Sequence, residues 1–132
     1  VDIDRDSQAA FAMFKGQKNH GDDAVRKAQA YIETNVQERI SVDELADWVS
    51  VGRRSFERRF KRATKNSALE YIHRVKIEAA KRSFESSRKN ISEVMFDVGY
   101  TDTKAFRTMF KKLTGLTPID YRNKYNKLSI LT

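Results

Sequence analysis

The sequence has no cysteine, one proline and five glycines in 132 residues. Without thiols there is no disulfide scaffold, no Cys-ligated zinc or iron–sulfur site and no thiol nucleophile. His20 and His73 are the only histidines, too few for a histidine metal site, so neither metal nor cofactor is expected. No apolar run approaches the roughly 18 residues of a membrane span, and neither a membrane partner nor a secretory leader is expected. There is no glycine-rich phosphate loop and no carboxylate pair at a spacing suited to acid–base work. No catalytic residue is assigned and no enzyme activity is expected. The chain opens on Val1, not Met, and is read as a piece of a longer protein.

What is present is positive charge, unevenly placed. Lys plus Arg number 26 against 18 Asp plus Glu, for a net charge of +8 in a chain 39% hydrophobic. Its 15.3 kDa suits one ordered domain, or two very small ones sharing a core. Residues 52–65 and 104–127 each carry seven basic groups against one acidic, while residues 21–51 carry three against seven. A charge serving solubility alone would need no such distribution. Two separated basic segments point to two phosphate-facing surfaces.

The two basic segments are copies of one another at an offset of fifty residues. SFERRFKRATKNSALEY (Ser55 to Tyr71) aligns without gaps on AFRTMFKKLTGLTPIDY (Ala105 to Tyr121). Phe56/Phe106, Phe60/Phe110, Lys61/Lys111, Thr64/Thr114 and Tyr71/Tyr121 are identical. Each copy follows a short apolar helical pattern, Leu45-Ala46-x-x-Val49 and Met95-Phe96-x-Val98. One unit is used twice.

Capping signals divide the chain into helices. Ser41-x-x-Glu44 and Ser67-x-x-Glu70 read as capping boxes, Asn90-x-x-Glu93 as a close relative, and Thr117-Pro118-x-Asp120 as a cap with proline in the first turn. The expected fold is all-α with about seven helices, near 22–36, 41–49, 53–64, 68–86, 91–98, 103–114 and 118–126. Val25, Ala28, Ile32 and Val36 form one stripe of the first, and Trp48 is read as packing between the first two. The long helix 68–86 has a wide apolar arc that includes Leu69, Ile72, Ala79, Ala80 and Phe84. The expected plan is a linker at 1–21, in which Phe11 and Phe14 are candidates for docking, a first unit at 22–67 and a connecting helix at 68–86. A second unit at 87–127 and a tail at 128–132 complete it. Helices 41–49 and 53–64, and again 91–98 and 103–114, are joined by tight turns, the pattern of a helix-turn-helix whose second helix lies in the DNA major groove.

Helical spacing chooses the reading face. Opposite Phe56 and Phe60 stand Arg54, Arg58 and Lys61, with Glu57 and Arg62 on the flanks. Opposite Phe106 and Phe110 stand Lys104, Thr108 and Lys111, flanked by Arg107 and Lys112. Arg pairs bidentately with guanine and Thr contacts a thymine methyl or a base edge. The later basic residues, Lys61, Arg62, Arg107, Lys111 and Lys112, together with Arg53, suit phosphates, which set register without reading sequence. Basic helical faces are often only solvated, but the same face at the same place in two units argues against that. Glu57 can accept from cytosine; an ion pair with Lys61 one turn on competes with that role.

Gly99 to Arg122, GYTDTKAFRTMFKKLTGLTPIDYR, resembles the signature of the AraC/XylS transcriptional regulators. A glycine-aromatic turn leads there to F-x-x-x-F-K-K, then Gly, then Pro, and ends in Tyr-Arg. Leu45-Ala46, Phe56, Arg58, Phe60-Lys61 and Tyr71-Ile72 agree with the first half, so the resemblance covers about residues 22–126. It implies two helix-turn-helix subdomains joined by a long helix, binding double-stranded DNA as a bacterial transcription factor. By resemblance, base contacts fall at Arg54, Glu57 and Arg58, and at Thr103, Lys104, Ala105 and Thr108; Thr103 and Ala105 come from the resemblance alone. It also implies RNA polymerase as a partner at promoters, a missing N-terminal sensor or dimerisation domain, and a cytoplasmic location on the nucleoid. Lys65 and Ala68 depart from the family's frequent Gly and Pro, so the first unit is expected to turn differently into the connecting helix. The leader, Asp4-Arg5-x-Ser7-Gln8-x-x-Phe11 and then His20-Gly21-Asp22, is similar to regulators whose N-terminal domain looks like a class I glutamine amidotransferase; a cupin-like sensor is the alternative. Three rivals remain open: a general nucleic-acid packaging protein, a module that binds an acidic protein, and an enzyme fragment.

Overall fold

The structure, a computed structural model, describes residues 18–130. Phe11, Phe14 and the Asp4–Phe11 motif lie outside the described residues. Among the described residues there are eight helices and no strand: α1 (Asp23–Thr34), α2 (Val42–Trp48), α3 (Arg53–Thr64), α4 (Ala68–Ser86), α5 (Ile91–Asp97), α6 (Thr103–Thr114), α7 (Pro118–Tyr125) and α8 (Lys127–Ile130). Seven match the expected set: α3, α4 and α6 keep the expected bounds, and α1, α2, α5 and α7 fall one or two residues short at one or both ends. The first two start late because Asp22 and Ser41 are caps that accept from the N–H groups of Val25 and Glu44 at 3.1 Å. The eighth is a four-residue turn that starts at Lys127, the last residue expected of the second unit, and runs into the expected tail.

Val36 falls beyond α1, whose end is closed at Asn35 by an N–H bond back to the Tyr31 carbonyl. Its half-buried side chain instead touches both hydrophobic cores. Trp48 does lie between α1 and α2, its ring 5.1 Å from that of Tyr31 with the Lys27 ammonium 4.5 Å above it, yet it stays 46% exposed.

The repeat is visible atom by atom. Phe56, Phe60 and Tyr71 stack with centroids 5.7 and 5.4 Å apart, and Phe106, Phe110 and Tyr121 do so at 5.8 and 5.4 Å. Both stacks finish edge to face, the arrangement aromatic quadrupoles prefer. The tyrosine of each stack donates to a carboxylate, Tyr71 to Glu33 at 3.0 Å and Tyr121 to Glu85 at 2.5 Å. One register step separates the two copies. Val51 N–H bonds to the Ala46 carbonyl as Tyr100 N–H bonds to that of Met95, an offset of 49, whereas α3 and α6 begin 50 apart. The turn of the second unit therefore holds one residue more.

Two cores share α4. Ala68, Tyr71, Ile72 and Val75 close the first with α1, α2 and α3, while Ile77, Ala80 and Phe84 close the second with α5, α6 and α7. Leu69, expected on the apolar arc, is 53% exposed: it stands in the first turn of α4, past the edge of the first core, and opens onto the cleft between the units. Buried Asn126 ties α7 back by donating to the carbonyls of Phe84 and Ser87 at 2.7 and 3.0 Å, the open C-terminal end of α4.

The first unit does not turn differently at Lys65. Lys65 takes φ 67°, ψ 4° and Gly115 takes φ 84°, ψ −5°, both left-handed C-caps bonded to the carbonyl four residues back. Thr64 and Thr114 follow suit, each hydroxyl accepting at 3.1 Å from the N–H two residues on. Ser67 and Thr117 then cap the next helices. This geometry is imposed on a residue with a Cβ, at a cost of roughly 1 kcal/mol. Lys65→Gly should therefore stabilise the domain by about 0.5–1 kcal/mol in urea unfolding, and Gly115→Ala should destabilise it by about 1 kcal/mol. A loss of stability in Lys65→Gly would contradict the assignment.

Candidate nucleic-acid interface

Helix α3 buries Phe56, Phe60 and Thr64, and α6 buries Phe106 and Phe110. That leaves Arg53, Arg54, Glu57, Arg58, Lys61 and Arg62 exposed on α3, and Thr103, Lys104, Ala105, Arg107, Thr108, Lys111 and Lys112 exposed on α6. Every residue expected to contact DNA is therefore at the surface, in two groups, one per unit.

The cations are not equally available. Arg54, Arg58 and Arg62 on α3, and Lys104, Arg107, Lys111 and Lys112 on α6, make no ion pair or side-chain hydrogen bond with a described residue. Arg53, in contrast, sits 2.9 Å from Asp43 and 3.5 Å from Glu57, and its guanidinium is held further above its usual range, chiefly by Asp43. Glu57 thus pairs one turn back with Arg53, not one turn on with Lys61. Lys61 instead lies 3.8 Å from Glu70, whose carboxylate is fixed by the Ser67 capping box.

The starts of the two helices differ as well. Asp102 caps α6 through the Ala105 N–H at 3.1 Å, while Gly52 gives α3 no side-chain cap. Gly52 brings no carboxylate to the N-terminus of α3, beside Arg54, whereas Asp102 brings one beside Thr103. Ala105 opens onto a cleft of about 480 Å³ between the units, lined also by Arg39, Leu69, His73, Phe96 and Tyr100.

Arg59 lies off the reading face and has a different task. Its guanidinium grips both carboxylate oxygens of Asp22 at 2.8 Å, holding the Asp22 carboxyl below its usual range. Asp22 also caps α1, so one residue links the leader, α1 and α3. Lys18 adds an ion pair to Glu33 at 2.8 Å, and His20 a hydrogen bond to buried Gln29 at 2.9 Å. Residues 18–21, expected as linker, are thereby bound to the first unit through Lys18 and His20.

Among the described residues no group of three or more His, Cys, Asp or Glu could hold a metal, and no helix is long and apolar enough to cross a membrane. A helix-turn-helix domain model matches residues 45–124, from within α2 to within α7. The chain belongs to the AraC/XylS family of helix-turn-helix proteins. It is 33% identical over 102 residues to an HTH-type transcriptional regulator of Pseudoalteromonas carrageenovora, covering 77% of this chain and 60% of that one. The xylose operon regulatory protein of Escherichia coli K12 is also 33% identical over 102 residues, covering 77% and 26%. The chain thus spans less than two thirds of these relatives' lengths. The DNA-binding domain of AdpA, solved in complex with a target DNA, superposes with a TM-score of 0.75 at 28% identity, covering 79% of this chain and 94% of that one.

Between the two family units, His73 of α4 stacks on Tyr100 of the second turn, its Nδ1 2.5 Å from the Tyr100 hydroxyl. Burial first, then the charges of Lys76 and Lys112, holds the imidazole below its ordinary value of 6.5. As pH falls, the unfolded chain therefore takes up this proton before the folded one does. The stability tied to neutral His73 is complete above about pH 6.5 and is lost as pH drops through the lower folded value. Thermal melts from about pH 7 to pH 5 should show a smaller fall in midpoint for His73→Gln than for the unaltered chain. Equal slopes would remove His73 as the cause.

Proposed function

We propose that this chain is the sequence-specific double-stranded DNA-binding domain of a bacterial transcriptional regulator, with α3 and α6 entering successive major grooves. The observation that carries the proposal is the pair of unneutralised cationic faces, one on the second helix of each helix-turn-helix unit. The 19 residues of α4 hold them on one frame, about 28 Å long at 1.5 Å per residue. Successive major grooves on one side of B-DNA lie roughly 34 Å apart, a match that makes one polypeptide the equivalent of a symmetric dimer.

Arg54, Arg58 and Glu57 read bases in one half-site, and Thr103, Lys104, Ala105 and Thr108 in the other. Lys61, Arg62, Arg107, Lys111 and Lys112 bind phosphates. Arg53 joins them only by leaving Asp43, so it contributes less. In the whole protein, the family reading adds RNA polymerase as a promoter partner, an N-terminal sensor or dimerisation domain joined through the 1–21 linker, and a place on the nucleoid. No group in the domain is assigned a catalytic role.

Selection from random duplexes should return a bipartite site whose halves lie about one helical turn apart. Against that site scanned base by base, Arg54→Ala or Arg58→Ala should lose about 1–3 kcal/mol of discrimination in one half only. Lys104→Ala and Thr108→Ala should act on the other half. If the Arg54 and Lys104 variants lose discrimination at the same base pairs, the two-groove reading is wrong.

Salt offers an independent check. Each phosphate contact contributes a slope of about −0.9 to the fall of log K with log salt, so roughly six to ten contacts give a steep line. Lys61→Ala and Lys111→Ala should each weaken all sequences alike and flatten the slope by about one contact. A slope shallower than about −3 in the unaltered domain would overturn paired-groove binding.

A further inference from the structure

Lys76 is the one lysine in the buried face of α4, 5% exposed, on the row Ile72, Lys76, Ala80, Phe84 that otherwise faces the two cores. Its ammonium donates to the carbonyls of Val36 and Glu38 at 2.5 and 2.7 Å, and of Val98 at 3.2 Å. The first two belong to the α1–α2 loop of the first unit. The third is the C-cap of α5 in the second. The three protons of the ammonium thus meet three backbone acceptors drawn from both halves of the molecule.

Gly99 forms the opposite wall. It holds φ +83°, and a Cβ there would lie 2.6 Å from Lys76 Nζ and 3.0 Å from the carbonyls of Val36 and Glu38. The turn that launches α6 therefore presses on the loop of the other unit with a single ammonium group between them. Burial pulls Lys76 down to about 8, with the Glu38 carboxylate pulling the other way, so the group is mostly protonated at neutral pH. A neutral amine would face three carbonyls with only two hydrogens.

We propose that Lys76 is a positioning residue that sets the allowed spacing between the two DNA half-sites, by locking the α1–α2 loop of the first unit to the α5–α6 turn of the second. The inference rests on the two-groove reading above. Helix α4 fixes how far apart the units stand, but each unit can still roll on its own face of that helix. A roll re-aims α3 against α6. Inserting one base pair between half-sites rotates one of them by about 34° and moves it about 3.4 Å, and only a domain held against rolling would reject that change sharply. Charge-assisted bonds at fixed distances to both units supply the restraint.

The test uses the selected duplex with the separation of its half-sites changed by one and two base pairs in each direction. The unaltered chain should bind the native spacing about tenfold or more better than its neighbours. Lys76→Met, similar in length and uncharged, should flatten that preference to about threefold or less. It should leave base discrimination within each half-site unchanged. Gly99→Ala, which disturbs the clamp from the opposite wall, should flatten it in the same way and decides the matter if Lys76→Met does not fold by circular dichroism. Equal weakening at every spacing, with the preference intact, would assign Lys76 to stability alone and overturn the inference. No spacing preference in the unaltered chain would overturn the two-groove reading, and this inference with it.

Discussion

Helix α4 is packed by two cores at once. Its first half gives Tyr71, Ile72 and Val75 to one aromatic cluster and its second half gives Ile77, Ala80 and Phe84 to another. Neither three-helix unit could close without it, since a helix-turn-helix pair alone has one apolar face and nothing to set it against. Sharing that helix fuses two small units into one domain with a buried core adequate to its size. It also converts the distance between two basic surfaces into a property of a rigid helix.

The copies differ where difference has consequences. Their aromatic stacks, threonine-closed turns and left-handed caps superpose closely enough that a lysine accepts the conformation of a glycine. Their entries into the exposed helices do not: the second turn holds one residue more, ends on a capping aspartate and starts its helix with threonine. The first has Gly52 and two arginines, one of them restrained by Asp43. A common frame thus presents two chemically distinct surfaces, which fits a site whose halves are unlike.

The cations of the two units divide into paired and unpaired ones. Arg59 is bound to Asp22 and Arg53 to Asp43, whereas Arg54, Arg58, Lys104 and Lys111 face solvent with no partner among the described residues. Unpaired cations repel one another, and phosphate is the ligand that removes that repulsion. Burial first, and the neighbouring Glu33 and Glu85 carboxylates with it, keep the Tyr71 and Tyr121 hydroxyls protonated and donating. These bonds hold the stacks beneath the basic faces without adding positive charge.

Local signals in the chain determined the helices, their caps and the exposed faces, because those depend on neighbours within one or two turns. Phe56/Phe60 against Arg54/Arg58 is a pattern of spacing alone, and identities at an offset of fifty residues announced the duplication. What only the tertiary structure decided concerns partners far apart in sequence. Arg59 turned to Asp22, 37 residues away, and Arg53 to Asp43 on the preceding helix, since an ion pair goes to the nearest fixed carboxylate and distance in space is not written in the order of residues. Leu69 left the core because the helix runs past it. Lys76 carried a trace, a charged side chain on the row of Ile72, Ala80 and Phe84. Its three acceptors come from segments 22 to 40 residues away, and only the closing of both cores brings those carbonyls to one point.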